Sequence, residues 1–167
     1  MAENRAGGIW DTIKTLFYAV VIAVFIRTFA FEPFNIPSGS MIPTLLVGDY
    51  LFVSKYTYGY SRHSLPFSLP IIPGRIFSSV PKRGDVAVFK LPKDNSTDYI
   101  KRIIGLPGDR IQVRGGRLFV NGTVVNRRSL APFFMRGPLG SRVGVRHYEE
   151  SLPNGTQHRI LERGDNF

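Results

Sequence analysis

The fold is decided by the stretch Tyr99-Ile-Lys-Arg-Ile-Ile-Gly-Leu-Pro-Gly-Asp-Arg-Ile-Gln-Val-Arg-Gly-Gly-Arg-Leu-Phe-Val-Asn-Gly-Thr-Val-Val125. In this stretch short β-prone runs follow one another, with turn residues between them. Arg110–Arg114 alternates polar and apolar residues, as a half-buried strand does. Gly115-Gly116 separates this run from Arg117–Val120, and Asn121-Gly122 precedes the next run. Both dipeptides favour two-residue hairpin turns. The sequence therefore predicts two consecutive β-hairpins.

Similar runs on both sides of this stretch predict a chain that is mainly β beyond Glu32. Further strands are predicted at Asp49–Ser54 and Asp85–Lys90, and a third hairpin at Arg142–Glu150 and Gln157–Leu161. Residues Tyr56–Pro81 are rich in Pro, Ser, Gly and aromatic residues, which predicts a long surface loop.

Composition sets the broad class of protein. The 167 residues suffice for one domain with a hydrophobic core plus an anchor. The chain has no cysteine, which excludes a disulfide framework and a thiolate metal site. The net charge of +10 is spread along the whole length. This distribution predicts a basic surface that tolerates anionic lipid headgroups, and it does not favour nucleic-acid binding.

The N-terminal segment from Trp10 to Phe31 is mostly apolar and would be about 33 Å long as a helix. It predicts a single membrane-spanning anchor, with Lys14 and Arg27 at the ends of the uncharged centre. A cleaved secretory signal is the alternative, because the apolar core of such signals has a similar length. We favour the anchor because Arg27 interrupts the possible cleavage site at Thr28-Phe29-Ala30.

The anchor divides the chain into three predicted parts. Residues 1–9 form a short cytoplasmic N-terminus, residues 10–31 the anchor, and residues 32–167 a domain on the far side of the membrane. This orientation follows from Arg5 and Lys14, since basic residues close to a span favour the cytoplasmic side.

Ser40 is the candidate nucleophile. It lies in Pro37-Ser-Gly-Ser-Met41, where a proline and a glycine favour a tight turn that exposes a side chain. Such a turn can also direct backbone N–H groups, with the Ser38 hydroxyl, at one point and so stabilise an oxyanion. An ordinary turn serine is the competing interpretation, since a serine needs a base before it becomes a nucleophile.

Lys101 is the candidate base. It lies in the apolar run Tyr99-Ile-Lys-Arg-Ile-Ile104, where adjacent Lys101 and Arg102 must point to opposite faces of a strand. Burial of a lysine favours its neutral amine, which is the form that a general base requires. The competing interpretation is an edge strand with two solvated cations.

Other residue types capable of chemistry give weaker signals. His63, His147 and His158 lack metal-ligand spacing and are predicted at the surface. No Gly-x-Ser-x-Gly elbow supports a Ser-His-Asp triad. Asp85 and Asp109 follow glycines at strand starts, and we expect them to cap turns.

Three motifs carry a resemblance to a known family. Phe34–Tyr50 contains Ser40, Arg83–Pro92 follows it, and Asp98–Asp109 contains Lys101. In this order after an apolar segment, they closely resemble the conserved boxes of bacterial type I signal peptidases (leader peptidases), membrane-bound Ser/Lys endopeptidases. The resemblance covers roughly residues 10–126.

The resemblance implies a function and a set of site residues. The fold would be the mainly β signal-peptidase fold with one N-terminal transmembrane helix, and the enzyme would remove signal peptides from exported preproteins without metal or cofactor. Ser40 would be the nucleophile, Lys101 the general base and Ser38 an oxyanion donor. A shallow pocket for small residues before the cleaved bond would be lined by Phe34, Ile36, Met41, Leu45, Leu51, Val88, Tyr99 and Ile100.

The resemblance also implies a location and partners. The protein would be a single-pass monomer of the bacterial inner membrane, with its catalytic domain on the periplasmic side, in contact with preproteins and membrane lipid but not with nucleic acid. The chain departs from the family at its C-terminus: Gly164-Asp165-Asn166 matches the start of the last conserved box, but Phe167 breaks the match, and we interpret the stretch as an upstream segment with the box itself absent. That departure predicts a C-terminally incomplete domain, without the acidic partner expected for Arg102.

Two alternatives remain open from sequence. One is a related Ser/Lys protease of the self-cleaving SOS-repressor type, which the apolar anchor disfavours. The other is a non-catalytic, membrane-tethered basic β-module that binds anionic lipid or acidic partners.

Overall fold

The computed structural model describes residues 8–65, 68–137 and 140–163, and over these residues the chain is mainly β with one N-terminal helix, as predicted. The helix α1 spans Gly8–Phe29. The strands are β1 (Phe31–Asn35), β2 (Tyr50–Ser54), β3 (Tyr60–Ser61), β4 (Arg75–Ile76), β5 (Val86–Lys90), β6 (Asp98–Arg102), β7 (Ile111–Arg114), β8 (Arg117–Val120), β9 (Thr123–Val124), β10 (Asn126–Ser129), β11 (Phe133–Arg136), β12 (Arg142–Ser151) and β13 (Gln157–Glu162). Short 3₁₀ turns occupy Gly39–Met41 and Arg62–Ser64.

The helix α1 is long and apolar enough to cross a membrane, with 22 residues and a mean hydropathy of 1.8 in its most apolar window. Its large side chains are exposed, for example Leu16 at 65% and Phe25 at 63%. The helix ends at Phe29, and Phe31 begins the first strand. The apolar segment predicted from Trp10 to Phe31 is therefore helical only as far as Phe29.

The chain forms two compact units, and residues 8–34 and 50–80 belong to the first. Within this unit β1 pairs with β2, and β3 pairs with β4. Lys55 forms an ion pair with Glu32 at 3.1 Å. The predicted long loop over Tyr56–Pro81 is wrong in part, because it contains β3, a 3₁₀ turn and β4. These two-residue strands are too short to give a periodic signal.

The second unit contains residues 35–49 and 81–163. Antiparallel β5 and β6 form one pair, and β7, β8 and β9 form a three-stranded sheet. Gly115-Gly116 and Asn121-Gly122 join these strands with positive φ angles between 50° and 82°, which confirms the two predicted hairpins. A small core of Val120, Val125 and Leu152 packs beside this sheet, with Ile104 and Leu118 against it.

The remaining strands form a sheet around the long strand β12. It pairs with β13 along one edge and with β10 and β11 along the other, so the third predicted hairpin is confirmed. The strand β10 was not predicted, because Asn126-Arg-Arg-Ser129 has no apolar alternation.

One side of this sheet buries polar groups. Glu150 and His158 face each other across β12 and β13, and the His158 Nε2 lies 3.4 Å from a Glu150 carboxylate oxygen. Their exposed fractions are only 3% and 8%. The prediction that His158 lies at the surface is therefore wrong. His63 and His147 are half-buried.

Candidate active site

Ser40 is presented by the 3₁₀ turn Gly39–Met41 in the second unit. Backbone hydrogen bonds close the surrounding segment, because Ile36 N–H donates to the Asp49 carbonyl and Gly48 N–H donates to the Ile36 carbonyl, both at 2.9 Å. Ile36 is 1% exposed and Met41 is 8% exposed, whereas Ser40 is exposed. The buried residues therefore hold the turn while the hydroxyl points out of it.

Gly39 lets this turn pack closely. A Cβ atom at Gly39 would lie 2.9 Å from the Ile42 Cδ1 atom, which is closer than ordinary van der Waals contact. An alanine at Gly39 would therefore require a shift of the Ile42 side-chain end or of the turn.

Lys101 lies on β6, directly opposite Ala87 of β5. Strand alternation places Tyr99 on the same face as Lys101, and the Lys101 Nζ lies 5.4 Å from the centre of the Tyr99 ring. Lys101 is half-buried, and among the described residues no carboxylate forms an ion pair with it. An aromatic ring and a small buried residue therefore surround this amine on its own sheet.

The amine and the hydroxyl meet although 61 residues separate them in sequence. Lys101 Nζ lies 2.5 Å from Ser40 Oγ. The Ser38 hydroxyl lies 3.4 Å from Ser40 Oγ, on the same turn. The structure thus brings Ser38, Ser40 and Lys101 together. An amine at this distance can accept the hydroxyl proton, which is the step that converts a serine into a nucleophile.

Arg102 points away from Lys101, on the other face of β6. It donates to the Gly84 carbonyl at 2.6 Å and to the Thr44 hydroxyl at 3.4 Å. Burial lowers the pKa of its guanidinium. Among the described residues no carboxylate pairs with Arg102, so its recorded partners are neutral oxygens.

A polar network fixes the turn that follows β6. The Asp109 carboxylate accepts hydrogen bonds from Leu106 N–H at 2.6 Å, Asn121 Nδ2 at 2.8 Å and Arg83 Nη2 at 2.7 Å. The Leu106 bond, followed by those from Asn121 and Arg83, lowers the pKa of Asp109. Arg83 also donates to the Ile104 carbonyl. The predicted capping role of Asp109 is confirmed, and Asp85 likewise accepts from Lys82 N–H.

The eight residues predicted to line a substrate pocket fall into three groups. Ile36, Met41 and Leu45 belong to the segment that carries Ser40, and all three are buried or half-buried. Val88 pairs directly with Ile100 on the face of β5 and β6 opposite Tyr99. Phe34 and Leu51 lie in the first unit, each half-buried. These residues therefore do not form one continuous set within the second unit.

A cavity of about 540 Å³ adjoins Ser40, and sequence reasoning missed it. It is lined by Gly39, Ser40, Ile42, Val113, Gly116, Met135, Ile160, Leu161, Glu162 and Arg163. Half of these residues come from β7, β11 and β13, whose distance from Ser40 in sequence gives no signal of proximity. Of these three strands, only β7 alternates apolar and polar residues, and that pattern does not indicate what the strand faces.

No group of three or more His, Asp or Glu side chains is placed to hold a metal ion within residues 8–65, 68–137 and 140–163. The stretch Gly164-Asp165-Asn166, where the last family box is predicted to be absent, lies outside the described residues.

An apolar N-terminal helix followed by a mainly β fold is the architecture that the three sequence boxes imply. A sequence model of the family described as signal peptidase, peptidase S26, matches residues 9–166. The protein named Signal peptidase I of Rickettsia conorii is 43% identical over 142 residues, which cover 83% of this chain and 51% of that relative. The protein of the same name from Rickettsia canadensis is 42% identical over 146 residues, covering 85% and 53% of the two chains.

The chain therefore belongs to the signal peptidase family, peptidase S26. It spans about half the length of the curated relatives that it matches.

Proposed function

We propose that this chain is a membrane-tethered serine endopeptidase that removes signal peptides from exported preproteins. The observation that carries the proposal is the 2.5 Å contact between Lys101 Nζ and Ser40 Oγ. Membership of the signal peptidase family supports the substrate class. No metal or cofactor takes part in the proposed reaction.

The reaction starts when the neutral Lys101 amine takes the Ser40 hydroxyl proton. The Ser40 oxygen then attacks the carbonyl carbon of the scissile peptide bond. The resulting oxyanion accepts hydrogen bonds from the Ser40 backbone N–H and the Ser38 hydroxyl, because N–H groups at the start of a helical turn have no partner inside the turn.

Collapse of this intermediate breaks the C–N bond, and the Lys101 ammonium gives its proton to the leaving amine. The signal peptide is then an ester on Ser40. Water attacks this ester while the neutral Lys101 accepts a proton from it. The bond between the acyl carbon and Ser40 Oγ then breaks, Lys101 returns the proton to Oγ, and the acid product leaves. One base thus serves both halves of the reaction.

The helix α1 supports the proposed location. The helix is about 33 Å long, which matches the hydrocarbon core of a bilayer, and its large apolar side chains are exposed. We place the helix in the bacterial inner membrane, with the β region on the periplasmic side, and treat the protein as a monomer. Residues 10–31 would then include the anchor, residues 1–9 would be cytoplasmic, and residues from 32 onward would carry the site.

Selectivity would come from small apolar surfaces close to Ser40. Met41 and Leu45 follow Ser40 in sequence, and Ile36 forms the backbone hydrogen bonds that close the segment carrying Ser40. On the strand pair that carries Lys101, Tyr99 shares the face of Lys101, whereas Val88 and Ile100 lie on the other face. Phe34 and Leu51 of the first unit remain residues that only the family resemblance implies for substrate binding. A shallow apolar site rejects large side chains by steric exclusion, which would produce a preference for small residues before the cleaved bond.

The experiment compares variants of the chain reconstituted in liposomes, with a preprotein whose signal peptide ends in Ala-x-Ala as substrate. Ser40→Ala and Lys101→Ala should each lower kcat by at least about 10³-fold, because each removes a group that acts in the bond-breaking steps. Ser129→Ala and Lys93→Ala are matched controls at exposed positions and should retain turnover.

Acylation gives a second measurement. An acylating penem should add to Ser40, located by mass spectrometry, in the unmodified chain and not in Ser40→Ala. Turnover that survives Lys101→Ala would contradict the mechanism. A chain that binds anionic liposomes in a salt-sensitive way, but neither cleaves the preprotein nor is acylated, would instead support the non-catalytic basic module.

A further inference from the structure

The cavity beside Ser40 runs along the edge of strand β13. Three consecutive residues of this strand, Ile160, Leu161 and Glu162, line it. Successive side chains of a strand point to opposite faces of its sheet, so a cavity over one face would be lined by every second residue only. Lining by consecutive residues therefore indicates a cavity beside the strand edge.

This edge of β13 is open. Within residues 8–65, 68–137 and 140–163, β13 pairs with β12 alone. A strand at the edge of a sheet presents a row of N–H and C=O groups that have no strand partner. The cavity therefore lies where a further strand can be added to the sheet.

The register shows which backbone groups of β13 face this edge. The Leu152 N–H donates to the Thr156 carbonyl at 2.9 Å, one step from the pair of Ser151 with Gln157. Along an antiparallel pair of strands, facing residues that exchange hydrogen bonds alternate with facing residues that do not. By this alternation the even-numbered residues of β13 bond to β12. Leu161 is left with its N–H and C=O directed to the open edge.

A second hydrogen bond supports this assignment. Leu161 faces His147 in the register of β12 and β13. The His147 carbonyl accepts from the Leu130 N–H at 2.9 Å, on the side of β12 where β10 pairs. The His147 backbone therefore points away from β13, as it does in a facing pair that exchanges no hydrogen bonds.

Strand β7 supplies another wall of the cavity through Val113. This strand is the end strand of the sheet β7-β8-β9, and its four residues are all exposed. The Val113 side chain is 64% exposed, although it is apolar and lies beside a cavity. An occupant of the cavity would cover this side chain and gain hydrophobic contact.

The lining favours recognition of a polypeptide backbone. Gly39 and Gly116 line the cavity without side chains, and the Glu162 carboxylate already pairs with Arg127 at 3.2 Å. Open strand edges bind extended polypeptides through main-chain hydrogen bonds. An extended peptide with small or apolar side chains therefore fits a lining whose apolar members are Ile42, Val113, Met135, Ile160 and Leu161.

The cavity is separate from the surfaces expected to select residues before the cleaved bond. None of the six predicted pocket residues of the second unit lines it: Ile36, Met41, Leu45, Val88, Tyr99 and Ile100. A substrate whose scissile carbonyl lies at Ser40 continues past the cleaved bond, and this second arm needs a path away from the serine.

We propose that this cavity binds the substrate segment that follows the cleaved bond as an added β-strand, held by the outward-facing backbone groups of Leu161. The proposal rests on the proposed peptidase function. Continuity with Ser40 favours the substrate as the occupant, and the site recognises the main chain of that segment rather than its charge.

The test is an ester scan of synthetic peptide substrates, cleaved by the chain in neutral detergent. All peptides share one sequence, with Ala-x-Ala before the cleaved bond. In each peptide one backbone N–H, at the second to sixth residue after the bond, is replaced by an ester oxygen. Because alternate N–H groups of a strand point to opposite sides, every second replacement in the bound stretch should lower kcat/KM about three- to tenfold. Replacements between them should change it by less than about twofold.

Two variants at one position separate the backbone from the side chain. Leu161→Pro removes the outward N–H without removing a bond to β12, whereas Leu161→Ala keeps that N–H. On the full peptide, kcat/KM of Leu161→Pro should be about three- to tenfold below that of Leu161→Ala. On a short substrate that carries only a fluorescent amine after the bond, the two variants should be equal.

Gln157→Pro is the matched control. Gln157 is exposed, lies outside the cavity and has its backbone groups on the same open edge of β13. This variant should cleave the full peptide as the unmodified chain does.

Ester losses that are absent, or equal at successive positions, would overturn the cavity proposal, and cleavage of the peptides would leave the peptidase function standing. This measurement uses the unmodified chain, so it decides the question even where Leu161→Pro does not fold. An unmodified chain that sediments as a dimer, with Leu161→Pro as a monomer, would identify a second copy as the occupant and also overturn the proposal. If no peptide is cleaved, the peptidase function fails and the cavity proposal falls with it.

Discussion

Replacing Gly84 by alanine should destabilise the strand pair that carries Lys101. Gly84 has a φ of +98°, where a side chain is strained, and a Cβ atom would lie 2.5 Å from the Thr156 Cγ2 atom. Strain in this backbone region contributes about 1–3 kcal/mol. Overpacking contributes a further ~1–3 kcal/mol. We therefore expect the free energy of unfolding to fall by about 3 kcal/mol or more.

Gly108 provides the matched control for this prediction. It has a φ of +89° but no atom within 4 Å of a built Cβ, so Gly108→Ala tests backbone strain alone. It should lower the free energy of unfolding by about 1–2 kcal/mol. Urea denaturation followed by circular dichroism measures both values.

A double-mutant cycle separates the two contributions at Gly84. Thr156→Ser removes the Cγ2 atom and keeps the hydroxyl that donates to the Arg83 carbonyl. Gly84→Ala in the Thr156→Ser background should therefore lose less stability, by about 1 kcal/mol or more. Equal losses for Gly84→Ala and Gly108→Ala, with no coupling to Thr156, would refute the reasoning.

Two further predictions concern the turns around the site. Gly39→Ala should lower the kcat of preprotein cleavage at least about tenfold with little loss of stability, because the new Cβ atom displaces the Ser40 turn against the flexible end of Ile42. Adding Ile42→Val, which removes the contacting Cδ1 atom, should restore part of the rate. An unchanged rate in Gly39→Ala would contradict this. Asp109 has a pKa below its usual value, so its stabilising effect is present above the pKa of the unfolded state, near 3.9, and is lost as pH falls through the folded value. Asp109→Asn should therefore flatten the loss of stability in acid, measured by urea denaturation from pH 2 to pH 7, and an identical acid profile would contradict the assignment.

The sequence predicted the parts of the fold whose signal is local. Asn121-Gly122 and Gly115-Gly116 specify hairpin turns by their own backbone preferences, and both hairpins are present. The apolar run after Trp10 predicted the helix α1 for the same reason. Strand β10 has no such signal, because its arginines are placed by partners on other strands, as in the contact of Arg127 with Glu162.

The sequence also predicted the candidate site only in part. Ser40 and Lys101 were singled out from the residues around each of them, and their contact is a tertiary feature that spacing does not encode. The cavity beside Ser40 depends on β11 and β13, whose register around β12 is set by the whole sheet. The burial of His158 against Glu150 also follows from the register between β12 and β13, because the sequence of β13 does not specify which residue of β12 lies opposite His158.

The central claim is that Ser40 and Lys101 act as one catalytic unit. Its most direct test is the kcat of preprotein cleavage for Ser40→Ala, Lys101→Ala and the double variant, all reconstituted in the same liposomes. Groups that act together in one step give strongly non-additive losses. The double variant should therefore be no slower than either single variant, within about twofold. Losses that multiply in the double variant, or a Lys101→Ala variant that retains turnover, would contradict the claim.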